Sequence, residues 1–393
     1  MLTTWPVHRL PSWYVAGQAG CASLPPTFVP DQWGYVRDPT TGQPAQTAVA
    51  CEDARLISRL DLFVLSCDPG RIEWNTFMGP LSHAGSRGAL WVVPSTNTEA
   101  LPQRVPILQW PAHNDFHPLG LGVYEQAPGK ARLFVVNQRT LFTTIEVLDL
   151  VCEHASCYAT YVRSIAHPHA THTANSVHPV SPHAVLVSNS HLLTRRAPPR
   201  AQYVAALAMR MPLVLARALY FVVRPPWLAP WLTKVDAVLR LGWVAHVSFD
   251  DTVHTPREDA EQYAQGVHTH LLAKQLGFAN GLVVTPDDRA LVVASSMYLG
   301  TYIYPLQAHD RQGRANWTSP HVLGARQWVP TPFLPDNVAI VPRPPGTTWA
   351  LDDPLQGASV LVAGHPSVAA LERMVHDTST PAPSWVVQQS APC

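Results

Sequence analysis

Short apolar runs recur along the chain: Leu62 to Leu65, Ala89 to Val93, Leu133 to Val136, Ala184 to Val187, Ala290 to Ala294 and Ser359 to Ala363. Each has strand length and β-branched content, and clusters of Gly, Pro, Asn or Asp separate many of them, as turns do. Three runs share a preface. Asn175 opens Asn-Ser-Val-His-Pro-Val-Ser-Pro ahead of Ala184 to Val187, and Asn280 opens Asn-Gly-Leu-Val-Val-Thr-Pro ahead of Ala290 to Ala294. Asn337 opens Asn-Val-Ala-Ile-Val-Pro and, after a longer turn, leads to Ser359 to Ala363. Each reads as a polar residue starting a strand, a Pro-containing turn and a second strand. The pattern predicts an all-β antiparallel ring or barrel, best matched by a β-propeller. A ring of such hairpins would aim the amide oxygens at one central point, where a hard cation takes oxygen donors.

Residues 201–245 break the pattern. They are rich in Ala, Leu, Val and Arg at helical spacing, with Arg210 and Arg217 seven residues apart on one face and Pro212 between them. Pro225-Pro226-Trp227 turns the chain before a second segment, Trp231 to Val244. The stretch reads as a helical insertion that caps one face of the ring, or as an anchor on a membrane surface with aromatics at the interface and Arg at the headgroups. Two arginines and a proline inside it argue against a full span. The tail from Thr378 to Cys393 reads as an extended edge strand or a loose end, and residues 1–393 as a single domain.

Composition narrows the function. The 39 prolines end helices and mark turns, which suits many short strands better than a helical bundle. Basic and acidic residues number 27 each, so the chain lacks the basic face that nucleic acid requires. None of the six cysteines forms a CxxC pair, which disfavours zinc. Cys152 and Cys157 lie close enough to bridge and Cys21 with Cys393 would tie the ends together, but sequence leaves connectivity open. The first residues lack a basic segment followed by an apolar one, so no signal peptide is read. Asn316-Trp317-Thr318 is a glycosylation sequon. No Gly-x-Ser-x-Gly elbow occurs, which sets a serine hydrolase aside. His167, His169, His172 and His178 form a sequence cluster suited to a transition metal, although the prolines and threonines among them favour a loop.

Seven blocks resemble the paraoxonase/arylesterase family, in that family's order and over roughly residues 50 to 370: Cys51-Glu-Asp, Phe116-His-Pro-Leu-Gly-Leu-Gly-Val-Tyr, Ala131-Arg-Leu-Phe-Val-Val-Asn-Gln, Ala174-Asn-Ser, Gly277-Phe-Ala-Asn-Gly-Leu-Val-Val-Thr-Pro-Asp, Pro335-Asp-Asn-Val and Val362-Ala-Gly-His-Pro. The sequon at Asn316 also falls where members of the family carry one. The resemblance implies a six-bladed propeller with two calcium ions in its central tunnel. It implies that Glu52, Asn175, Asn280, Asp336 and Asn337 hold the first, and that Asp53, the Leu121 carbonyl and Ser176 stand at the second. Ser176 replaces a family aspartate, and a hydroxyl is a poorer calcium ligand than a carboxylate. Phe278 matches an apolar wall of the substrate pocket and His365 a histidine near its mouth.

The first set is chemically coherent. Two carboxylates and three amide oxygens leave calcium with positions for water and substrate, and such an ion polarises a carbonyl and stabilises the charge that develops on an ester or lactone oxygen. The family's two histidine positions are Leu119 and Gln138 here, neither of which can act as a base near neutral pH. His117, two residues before Leu119, is either a capping histidine or one that reaches the tunnel. Two functions follow. One is a calcium-dependent hydrolase of aryl esters or lactones. The other is a catalytically silent calcium propeller acting as a structural or membrane-associated binding module. The family is typically secreted or membrane-attached, so the secretory pathway or a membrane surface reached through 201–245 is the expected location.

Overall fold

The computed structural model describes residues 48, 50–79, 81–85, 88–97, 100–112, 114–153, 156–196, 235, 236, 238–251, 260–341, 353, 355, 357–377, 380 and 382–390. Their strands form five sheets in chain order. The first holds β1 (Cys51–Ile57), β2 (Leu62–Cys67), β3 (Ala89–Pro94) and β4 (Gln103–Val105). The second holds β5 (Ile107–Leu108), β6 (Pro118–Ala127), β7 (Lys130–Gln138), β8 (Thr143–Glu153) and β9 (Ser156–Ile165). The third holds β10 (Ala174–Ser181), β11 (Ala184–Asn189), β12 (Gly242–Phe249) and β13 (Val267–Leu276). The fourth holds β14 (Ala279–Val284), β15 (Ala290–Ser295), β16 (Gly300–Pro305) and β17 (Gln327–Pro330). The fifth holds β18 (Leu334–Val341), β19 (Ser359–His365) and β20 (Trp385–Ser390). Pairing is antiparallel except between β5 and β9.

Each sheet stacks on the next through apolar faces. Ile57, Val64 and Leu90 of the first meet Leu133, Val135 and Leu148 of the second, and Phe134, Val136 and Val147 meet Val177, Val185 and Trp243 of the third. Leu186 and Val244 meet Leu282 and Leu291 of the fourth, whose Val292 and Ile303 meet Val338, Val360 and Val362 of the fifth. Strand β7 feeds two of these layers, so every residue after Lys130 is buried and its sequence loses the usual alternation. The fifth sheet returns to the first: Asn337 Nδ2 donates to Glu52 O at 2.8 Å, and Arg55 Nη1 to Val338 O at 3.3 Å. This is a propeller-like ring.

The ring differs from the six blades expected. All described strands belong to five sheets, and the inner strand of the fifth already reaches the inner strand of the first.

The expected helical insertion is corrected at its end. Residues 197–234 lie outside the described residues, but Gly242–Phe249 is strand β12, paired in register from Ala184↔Ser248 to Asn189↔Trp243. Helical backbone reaches only Leu239, and Arg240, at φ 55°, turns the chain into the strand. Strand β12 is covered on both faces, and a doubly buried strand has the same unbroken apolar run as a buried helix.

Cys152 bridges Cys157 as its spacing allowed. Cys51 bridges Cys67, its partner directly across β1 and β2, a pair that sequence did not single out. Cys21 and Cys393 lie outside the described residues. The tail supplies β20, the edge strand of the fifth sheet. Before it, helix α1 (Val368–His376) starts where Ser367 Oγ accepts from Ala370 N at 3.2 Å.

Candidate metal centre at the hub

All five inner strands carry a register irregularity near their start. It falls between Cys51 and Asp53 in β1, Pro118 and Leu121 in β6, Ala174 and Val177 in β10, Ala279 and Leu282 in β14, and Pro335 and Val338 in β18. Inside these bulges sit Glu52, Leu119, Asn175, Asn280, and Asp336 with Asn337. A bulge leaves a residue unpaired and re-aims its side chain. Four of the five inner strands therefore turn an oxygen-bearing side chain out of the regular ladder, and the fifth turns Leu119.

Two glycines let neighbouring inner strands approach. A Cβ on Gly120 would lie 2.2 Å from Asn175 O, and one on Gly281 would lie 2.6 Å from Asp336 O. Only a residue without a side chain fits such a contact.

Among the described residues, Glu52 Oε2, Asn175 Oδ1, Asn280 Oδ1 and Asn337 Oδ1 are buried with no hydrogen-bond partner. Buried acceptors normally have one, so four in the inner-strand bulges call for an explanation. The amides are also oriented. Asn280 Nδ2 reaches Ser296 Oγ at 3.1 Å, and that hydroxyl donates to Pro335 O at 2.6 Å. Asn337 Nδ2 is held by Glu52 O. Both donor ends are thus occupied and the oxygen ends are free. The donor set fits a hard, oxygen-seeking cation. Among the described residues no three His, Cys, Asp or Glu side chains gather as a metal group, so any ion here leans on the amides.

Electrostatics point the same way. Burial, together with the neighbouring Asp53 and Asp336 carboxylates, pushes the Glu52 carboxyl well above its usual range, while Arg71 and the Asn337 amide oppose the shift. Arg71 was not singled out in the sequence. It follows the Cys67 turn, donates to Pro118 O and sits within Coulombic reach of Glu52, Asp68 and Asp336. His365 Nε2 lies 3.6 Å from Asp336 Oδ2, and that contact raises the histidine's pKa.

The second set is engaged differently. Asp53 Oδ2 accepts from Leu121 N at 2.9 Å and from Arg55 Nη2 at 3.0 Å, and Leu121 O accepts from Arg55 Nε at 2.8 Å. A guanidinium already occupies both donors, so these residues do not fit a second calcium ion.

Leu119 and Gln138 are buried, and the Gln138 carbonyl accepts from Trp74 Nε1 at 3.0 Å. His117 is a core residue rather than a surface cap: its Nδ1 is 2.9 Å from Asp68 Oδ2 and its Nε2 3.7 Å from Asp115 Oδ2. Phe278, at φ 58°, precedes β14 and stacks on His191, with centroids 5.7 Å apart, and on the edge of Phe77. This aromatic group borders a cavity of about 10 Å³ lined by Phe77, His172, His191 and Arg196 among others, room for roughly one water. Phe77 and His191 had no signal in the sequence, because only the ring geometry brings them to Phe278. The histidine cluster is dispersed in role: His167 Nδ1 accepts from His169 N, His172 Nε2 bonds Leu192 O, and His178 lies in β10 opposite Leu186. Asn316 is exposed, with Thr318 Oγ1 donating to its Oδ1 at 2.8 Å.

No family model and no curated protein matches the chain. Solved structures similar to it include a luciferin-regenerating enzyme, at 10% identity and a TM-score of 0.39 over 80% of this chain and 69% of that one. Others are a functionally unknown protein from Desulfotomaculum acetoxidans DSM 771, at 12% identity and a TM-score of 0.37 over 80% and 63%, and a puromycin hydrolase, at 10% and 0.36 over 84% and 38%. Likeness at this level carries no statement about chemistry.

Proposed function

We propose that the protein is a calcium-dependent hydrolase of aryl esters or lactones, its ion held by Glu52, Asn175, Asn280, Asp336 and Asn337. The observation that carries this reading is the set of unpartnered buried oxygens in the inner-strand bulges. A calcium ion bound there would supply Lewis-acid polarisation of the substrate carbonyl and a countercharge for its developing oxyanion. The chain's own residues supply the rest. Ser296 and the Glu52 carbonyl fix the amides of Asn280 and Asn337. With a cation beside it to favour its ionised form, the ligating Glu52 carboxylate would be the group placed to take the proton of the attacking water. Phe278 forms an apolar wall, and His365 stands beside Asp336 as a polar contact for the substrate.

Leu119 and Gln138 favour a second reading, a calcium-binding ring without turnover. Assay of the purified protein on phenyl acetate and a γ-lactone, with and without chelator, separates the two. The first reading expects hydrolysis that chelation abolishes, and equal turnover in excess chelator rejects it. The second expects calcium binding with no turnover.

A further inference from the structure

Next to the hub oxygens, three inner strands meet on a single side chain. Arg55 of β1 donates from Nε to Leu121 O of β6 at 2.8 Å and from Nη1 to Val338 O of β18 at 3.3 Å, and its Nη2 lies 3.0 Å from Asp53 Oδ2. Asp53 is buried, and its other contacts are the amides of Leu121 and Ala54. Ser176 of β10 lies against Gly120, the residue before Leu121, since a Cβ on Gly120 would lie 2.7 Å from its Cα. The Ser176 Oγ is buried with no hydrogen-bond partner. The charges close here: one carboxylate faces one guanidinium. A divalent ion added beside Arg55 would bring two more positive charges to a place where the Asp53 carboxylate already faces a guanidinium, which is strongly unfavourable.

We propose that the Arg55 guanidinium is the permanent cation of this deeper hub layer, standing where a second calcium ion would otherwise bind and joining the first, second and fifth sheets. Ser176 fits this assignment because a carboxylate at its position would be surplus to the single positive charge. The planar fork of an arginine suits two carbonyls and a carboxylate on three strands, which a lysine could not span in the same way. The assignment is independent of turnover and goes beyond the proposed function.

Calcium content after exhaustive dialysis, and thermal unfolding in calcium and in chelator, test it on the full chain. The wild type is expected to retain one ion per chain. Arg55→Met should melt about 5 °C or more below wild type in both buffers, because it strands a buried carboxylate. The double variant Arg55→Ala/Ser176→Asp should bind one ion more than the wild type and recover stability in calcium only. Two tightly held ions in the wild type, or Arg55→Met melting with the wild type in chelator, overturn the proposal. If Arg55→Met does not fold, calcium rescue of the double variant reads the same point. No bound ion in the wild type, with the Arg55→Met deficit intact, upholds the role of Arg55 and removes the calcium-hydrolase reading instead.

Discussion

Asn280 shows how one side chain becomes a ligand in waiting. Its Nδ2 is 3.1 Å from Ser296 Oγ, and that hydroxyl is committed to Pro335 O. Flipping the amide would break the contact and set two acceptors face to face, so Oδ1 stays turned away from its own sheet. Asn280→Ala should therefore abolish the rise in melting temperature on adding calcium while changing the melting temperature in chelator little. Ser296→Ala leaves the ligand in place but frees its orientation. Lost outer-layer contacts of this kind cost metal sites about 10- to 100-fold in affinity, so a calcium titration of Ser296→Ala should show weakening in that range. The asparagines were legible in the sequence because the chain repeats their setting three times. Ser296, Arg71 and Arg55 were not. A serine after a strand, or an arginine in a turn, acquires its role from a partner that only the folded register selects.

The inner strands owe that selection to their bulges and glycines. Each run of apolar residues was readable as a strand, but a bulge leaves no periodic trace in a segment this short. Strand β12 was misread for a related reason: burial on both faces erased the alternation that separates strand from helix. Gly120 and Gly281 expose what the bulges require. Strand β10 passes so close to Gly120, and β18 so close to Gly281, that a methyl group would meet backbone atoms at 2.2 Å and 2.6 Å. Backbone cannot rotate aside as a side chain can, so inserting a methyl must part the strands. Gly281→Ala should lower unfolding free energy by about 1–3 kcal/mol, read as a drop in urea midpoint. It should also blunt the calcium response, because Asn280 and Asn337 stand on the two strands being forced apart. A full calcium response with the midpoint unchanged would mean that close strand approach is not what positions the hub.

At the scale of the molecule, an all-β ring was legible from repeated hairpins, whereas the number of sheets was not. Blade count depends on which inner strand reaches back to β1, and that closure runs through Arg55, which no local pattern marks, and through Asn337, whose repeated setting does not say which strand it meets. The ring also buries histidines in the segments that flank its strands, with a consequence for acid stability. His191 is 1% exposed, lies against Phe278 and is held down to about 3 by burial and by nearby His172, Arg195 and Arg196. His172, over the Trp243 ring, is lowered to about 4 by burial. Each is neutral in the folded ring but titrates near 6.5 once unfolded. The folded value being the lower, unfolding takes up protons below pH 6.5. The histidine contribution is therefore intact above that pH and drains away as pH falls toward the folded value. Between pH 7 and pH 5 the loss is roughly 2 kcal/mol for each histidine. Glu52, Asp53 and Glu146, raised by burial, shift stability the opposite way over acid pH, so the net curve hides the effect and a difference between proteins isolates it. His191→Gln removes one of the lowered histidines and leaves the carboxylates alone. Urea unfolding at both pH values should show its stability deficit relative to wild type shrinking by about 2 kcal/mol from pH 7 to pH 5. A deficit equal at both would place the His191 imidazole in contact with water or with an acid able to share its proton, and would contradict its burial against Phe77 and Phe278.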